Sequence, residues 1–137
     1  NKSDKFEIGK ADVLMTGTDV TIIATGHLVW ESLQAAQELK AKGISAEVIN
    51  MHTIKPLDAK AILDSASKTG RVVTAEEHQK LGGLGESVAQ VLAENLPTPM
   101  RFVAVEDSFG ESGKPAQLME KYGLTSANIV SKTMELM

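Results

Sequence analysis

The chain has 137 residues, 42% of them apolar and 23% charged, the proportions of an ordinary globular domain long enough to bury about two-thirds of the surface its unfolded form would expose. Eighteen acidic against fourteen basic residues give a net charge of −4 with the signs interspersed, so no basic stripe offers itself to nucleic acid. No apolar run approaches the ~18 residues that cross a bilayer, the opening "NKSDKFEIGK" has no signal-peptide core, and the lack of cysteine removes disulfides and thiolate chemistry.

These features predict one cytoplasmic domain over residues 1–137, with 1–7 poorly ordered and no membrane contact. "FEIGKADVLMTG" (6–17) alternates weakly and is read as extended chain with one short edge strand. "DVTIIAT" (19–25) is a near-continuous β-branched run, which suits a strand buried on both faces and so a parallel sheet. After Gly26 the period becomes helical: Val29, Leu33, Ala36 and Leu39 share a face, and Lys40 and Lys42 precede a closing Gly43. "ISAEVIN" (44–50) is the next strand. Pro56 stops the chain, Asp58 offers a helix cap, Ile62, Leu63 and Ala66 form an apolar face, and Lys68 and Gly70 close the helix.

"RVVTAE" (71–76) is a third such strand, followed by a glycine turn and a helix carrying Leu84, Val88, Val91 and Leu92. "MRFVAVED" (100–107) is a fourth. Pro115 opens a short helix ended by Gly123, and Thr125 caps a last helix bearing Ile129, Val130, Met134 and Leu136. Strands alternating with helices predict a three-layer α/β/α sandwich with a mostly parallel sheet of about five strands.

In such sheets ligands bind beyond the carboxyl ends of the strands. "TGHLVW" has no glycine-rich fingerprint and no "GKS" or "GKT" follows any strand, so dinucleotide and nucleoside-triphosphate binding are disfavoured. His27 reads as a helix-capping or surface residue. Asn50, His52, Lys55 and Asp58 could form an acid–base set, but a strand end with Pro and a capping Asp explains them structurally.

The turn "TAEEHQKLGGLGESV" (74–88) holds the richest chemistry. Gly82, Gly83 and Gly85 before a helix leave N–H groups open to an anion, or let the turn lie close against another surface. Glu76, Glu77 and Glu86 would repel an anion, which favours packing. His78 beside two carboxylates could shuttle a proton or form a surface ion pair, so Glu77 and His78 are the catalytic candidates. In "EDSFGESGKP" (106–115), Asp107, Ser108, Glu111 and Ser112 match no calcium loop, and Phe109 with Gly110 suggests a docking loop. No complete catalytic constellation emerges.

The stretches "DVTIIATGHLVWESLQAAQELKAKGISAEVINMHTIKPLD", "VVTAEEHQKLGGLGESVAQVLAEN" and "DSFGESGKPAQLMEKYGLT" together resemble the C-terminal domain of transketolase, from about Phe6 onward. "IKPLD" is shared with deoxyxylulose-phosphate synthase and the beta subunit of 2-oxo acid dehydrogenases, while "FGESG" points to transketolase, in particular the split prokaryotic form. The resemblance implies a Rossmann-like domain of an enzyme of the pentose phosphate pathway that moves a two-carbon ketol unit between sugar phosphates. It also implies that the thiamine diphosphate and divalent metal (Mg or Ca) are held by a first domain with a "GDG" motif, with the aminopyrimidine activated by a glutamate of a middle domain. No "GDG" occurs here. The resemblance therefore implies a chain inactive alone, binding no cofactor or metal itself. Its partners would be the N-terminal and middle domains or subunit and a homodimer partner, with the glycine turn against one of them. The remaining readings are the matching domain of the synthase or dehydrogenase, an anion-binding regulatory module at Gly82–Gly85, and a purely structural interaction domain.

Overall fold

The computed structural model describes residues 10–52, 56–79, 83–105 and 123–137. In chain order these form β1 (Asp12–Met15), β2 (Val20–Ala24), α1 (Leu28–Ala41), β3 (Ala46–Asn50), α2 (Ala59–Thr69), β4 (Val72–Gln79), α3 (Leu84–Asn95), β5 (Met100–Val105) and α4 (Ser126–Met134). The strands make one sheet in the order β1-β3-β2-β4-β5. β1 runs antiparallel at one edge and the other pairings are parallel.

Alternation along the strands divides the core in two, because successive side chains leave a strand on opposite faces. Val20, Ile22, Ala24, Val48, Val73 and Ala75 pack with Leu28, Ala35 and Leu39 of α1 and Ile129 of α4. Ile23, Ile49 and Val72 pack with Ile62 and Ala66 of α2 and Leu84, Val88 and Leu92 of α3. The expected α/β/α layering follows. The edge strand expected within 6–17 is β1, and a β-bulge interrupts its register against β3 between Val13 and Met15.

The expected caps are in place. Asp58 Oδ1 accepts the Ala61 N–H at 3.1 Å and Thr125 Oγ1 accepts the Asn128 N–H at 3.2 Å. Gly70 ends α2 at φ +73°, a left-handed conformation that favours glycine. Three expectations need correction. The buried stripe of α1 is Leu28, Ser32, Ala35, Ala36 and Leu39, leaving Val29 and Leu33 half-buried on its flank. Met134 is exposed, and Thr133 takes the inward position instead, with its hydroxyl donating to the Ile129 carbonyl at 2.8 Å. The strand expected to stop at Glu76 runs on to Gln79, through an irregularity in its pairing with β5 between Ala75 and Gln79. The expectations for residues 1–7, for Pro115 and its short helix, and for strand residues 106 and 107 lie outside the described residues.

Candidate functional site at the carboxyl edge of the sheet

The strand order reverses at β2: the chain leaves β2 for β3 on one side, and later leaves β4 for β5 on the other. The crevice between the carboxyl ends of β2 and β4 is the topological switch point, where ligands of open α/β sheets bind. Its walls are Gly26 and His27 after β2, and Glu76 and Glu77 on β4.

The chain's own carboxylates close this region. Glu76 is 1% exposed, and its two oxygens accept the Leu84 and Gly85 N–H groups, each at 2.7 Å. Those N–H groups belong to the first turn of α3, which has no intrahelical acceptor for them and carries the positive end of the helix dipole. Glu77, the next residue, leaves β4 on the other face. Its Oε2 accepts the His27 N–H at 3.1 Å, at the start of α1. Two adjacent glutamates thus close the N-termini of two helices in two different layers. Short carboxylate–amide bonds of this kind are stronger than neutral ones.

This corrects the reading of the turn as open to an anion: the Leu84 and Gly85 donors already hold a carboxylate. Gly85 also has a tenant. A Cβ there would lie 2.7 Å from Phe102 Cδ1 and 2.9 Å from Thr74 Oγ1, so the close approach that this glycine permits is between α3 and the chain's own sheet. Gly83 is the buried N-cap residue of α3, with its carbonyl accepting the Ser87 N–H at 3.1 Å. Glu86 is exposed in the first turn, a favourable place for a negative charge.

The other candidates disperse. His27 stands at the start of α1 with its ring exposed and Nε2 3.7 Å from Glu31 Oε2, a surface position as expected. Glu31 itself turns Oε1 to the Ser126 N–H at 2.7 Å, serving the first turn of α4. His52 Nε2 lies 3.3 Å from Asp12 Oδ2, and Asp58 Oδ2 accepts the Ala11 N–H at 2.8 Å. His52 and Asp58 therefore tie β1 to the end of β3 and to the start of α2, and Asn50 stands opposite Asp12 in the β1–β3 register. His78 lies on β4 with its side chain outside the description. Lys55, Gly82, Asp107, Ser108, Phe109, Gly110, Glu111 and Ser112 lie outside the described residues.

A polar network that the sequence reading missed lies between α2 and the sheet. Glu47, 4% exposed in mid-strand, accepts Lys68 Nζ at 2.5 Å, Ser65 Oγ at 2.7 Å and the Gly17 N–H at 3.1 Å. Thr21 Oγ1 continues it to Ser65 Oγ at 2.6 Å and Thr69 Oγ1 at 2.7 Å. Burial pushes the Glu47 carboxyl up, but the bonds from Lys68, Ser65 and Gly17 together outweigh it and hold the pKa below the usual carboxylate value. A sequence signal existed: a charge inside a buried parallel strand demands a partner, and Ser65, Lys68 and Thr69 lie on one side of the following helix.

With this geometry in view, the sequence matches the family model "Transketolase, C-terminal domain" over residues 9–129. The chain belongs to the transketolase family, as its C-terminal domain. It is 52% identical over 136 residues to a 6-deoxy-6-sulfo-D-fructose transketolase subunit of Clostridium sp. (strain MSTE9), covering 99% of this chain and 42% of that one. It is 42% identical over 135 residues to one subunit of the apulose-4-phosphate transketolase of Phocaeicola vulgatus, covering 98% and 43%. A solved split-gene transketolase, described as an inactive beta4 tetramer, superposes with a TM-score of 0.89 at 46% identity over 96% of this chain and 42% of its own. The chain thus spans less than half the length of these relatives.

The transketolase family implies thiamine diphosphate in the complete enzyme, and the described helix starts at this edge do not fit its diphosphate. The N–H donors at the starts of α1 and α3 that would suit a diphosphate face Glu77 and Glu76, whose charge would repel it. Among the described residues no group of three or more histidine, aspartate or glutamate side chains is placed to hold a metal ion.

Proposed function

We propose that this chain is the C-terminal, assembly-supporting part of a transketolase, one that transfers a two-carbon ketol unit between anionic sugars on a thiamine diphosphate and divalent metal bound elsewhere in the enzyme. The observation that carries this reading is the family match joined to a switch-point crevice lined by Glu76 and Glu77, where a ligand-binding α/β domain would present open donors. The names of the two relatives, a sulfonated ketose and a phosphorylated sugar, favour a substrate with a terminal anion and do not single out the pentose phosphates. They also favour transketolase over the synthase and dehydrogenase readings. The partners are the cofactor-binding and middle parts of the enzyme, on the same polypeptide or on a companion chain, together with a second copy of the assembly. The beta4 form of the solved relative supports association between copies. Among the described residues no helix is long and apolar enough to cross a membrane, and we place the enzyme in the cytoplasm.

Calorimetric titration separates this reading from a regulatory anion-binding module. The chain alone, titrated with thiamine diphosphate plus magnesium and with inorganic phosphate, is expected to show no saturable heat up to millimolar ligand. Micromolar binding of either would overturn the assignment.

A further inference from the structure

We infer that two copies of this chain meet through the outer face of α1, the two helices packing antiparallel about a two-fold axis so that Trp30 of each copy enters a cavity at the far end of the other copy's α1; this rests on the association between copies proposed above and gives it a surface. Trp30, Gln34, Gln37 and Ala41 recur at i, i+4, i+7 and i+11, so they form one straight stripe on the helix. All four are exposed. A solvated helix face normally carries charges, and this stripe carries none. The acids of α1 are turned aside onto its α4 flank: Glu31 Oε1 accepts the Ser126 N–H at 2.7 Å, and Glu38 Oε2 lies 3.5 Å from Ser126 Oγ. Trp30, the sole tryptophan of the chain, is 58% exposed. An exposed tryptophan in a charge-free surround is the composition of an interface centre.

The stripe is self-complementary, and this selects a second copy as its occupant. A groove of about 310 Å³ beside Trp30 is lined by Met15, Leu33, Gln34 and Gln37. It runs into a cavity of about 380 Å³ that shares Met15 and Gln37 and opens between Lys40, Gly43 and Ile44. Knob and hole thus stand on one face, separated by the roughly 16 Å of helix between Trp30 and Ala41. In an isologous contact residue i meets j while j meets i. Antiparallel α1 helices crossing between Gln34 and Gln37 therefore bring each Trp30 against Ala41, Lys40 and the cavity of the other copy, and set Gln34 against Gln37. The largest side chain of the stripe meets the smallest, a lysine ammonium is offered to the indole face, and each glutamine amide both donates to and accepts from its opposite number. A parallel pairing would set Trp30 on Trp30 and leave both cavities unfilled.

Sedimentation equilibrium and tryptophan fluorescence of the 137-residue chain, each from about 1 μM to about 1 mM, test this. A contact of about three helical turns is at the small end of interfaces, so we expect dimers with a Kd on the order of 10–100 μM, and Trp30 emission that shifts to the blue over the same concentrations. Ala41→Glu, at an exposed position, should weaken the dimer at least about tenfold and keep the emission red, and Trp30→Ala should weaken it as much. Met134→Ala, at the exposed apolar position on α4, should change neither readout. A chain monomeric throughout, or a dimer whose Trp30 emission stays red, would overturn the inference, as would a dimer lost in the Met134 variant and kept in the other two. Ketol transfer, assayed in parallel with the remaining parts of the enzyme supplied, separates this failure from that of the proposed function: activity with Trp30 unburied sinks the contact alone, whereas a buried Trp30 without activity upholds the contact and sinks the function.

Discussion

At the scale of single residues, Glu76 and Glu47 are buried charges that do opposite work. Glu76 serves backbone donors, and Glu47 serves a lysine and two helical or turn partners. Glu76→Ala would leave two N–H groups at the buried start of α3 without acceptors. Each such bond to a charged group contributes about 1.5–3 kcal/mol, so denaturant melts should show a loss of at least about 3 kcal/mol. Glu76→Gln should recover only part of it, since one amide group would point a donor at a donor. Loss of less than about 1 kcal/mol in the alanine variant would contradict the role given to this side chain.

Glu47 yields a pH prediction. Its folded pKa is lowered, so its contribution to stability is full above the unfolded carboxylate pKa and is lost as pH falls through the folded one. In Lys68→Met the chief lowering partner is gone while burial remains, so the carboxyl should protonate at higher pH. Circular dichroism followed against pH should show acid unfolding of that variant beginning at higher pH than in the parent, and an unchanged midpoint would remove Glu47 from the account. Thr74 offers a contrast, because its Oγ1 is buried without a hydrogen-bond partner among the described residues. Thr74→Val should therefore be neutral or stabilising in a thermal melt, and a large loss would reveal a partner for that hydroxyl.

At the scale of elements, the strands and helices were legible where their chemistry is local. The β-branched run at 19–25, the Asp58 and Thr125 caps and the closing Gly43 and Gly70 each specify their own neighbourhood, and each stands where the sequence put it. The role of Glu76 was not legible, because its partners are eight and nine residues away across a turn and only the folded crossover brings them together. Read along the chain, Glu76 and Glu77 were charges that would repel an anion; folded, they take the position of one. The extension of β4 to Gln79 was hidden for a related reason: its pairing passes through an irregularity, and residues 76–79 lack the β-branched pattern of a buried strand. Gly85 shows what the turn needs. Gly85→Ala should push α3 from β4 and β5, and we expect a loss of about 1–3 kcal/mol from overpacking, with protection from exchange falling first in α3. An alanine variant of parent stability would show that the Phe102 ring gives way freely.

At the scale of the whole molecule, the sheet order places a ligand crevice between β2 and β4, and the sequence fills its walls from within. The α/β/α class was legible from strand–helix alternation alone. The family followed from motifs, and the carboxylates that occupy the starts of α1 and α3 became legible only through side-chain geometry that alternation sets but composition does not announce. In the function proposed above, a domain built this way contributes surface and rigidity to a larger enzyme. The measurement that bears on this most directly is ketol transfer from a ketose phosphate to an aldose phosphate, assayed with thiamine diphosphate and magnesium, with the remaining parts of the enzyme supplied in the presence and absence of this chain. The account predicts no turnover from this chain alone and turnover from the remaining parts that rises on its addition. Turnover by the chain alone, or turnover of the other parts indifferent to it, would contradict the account.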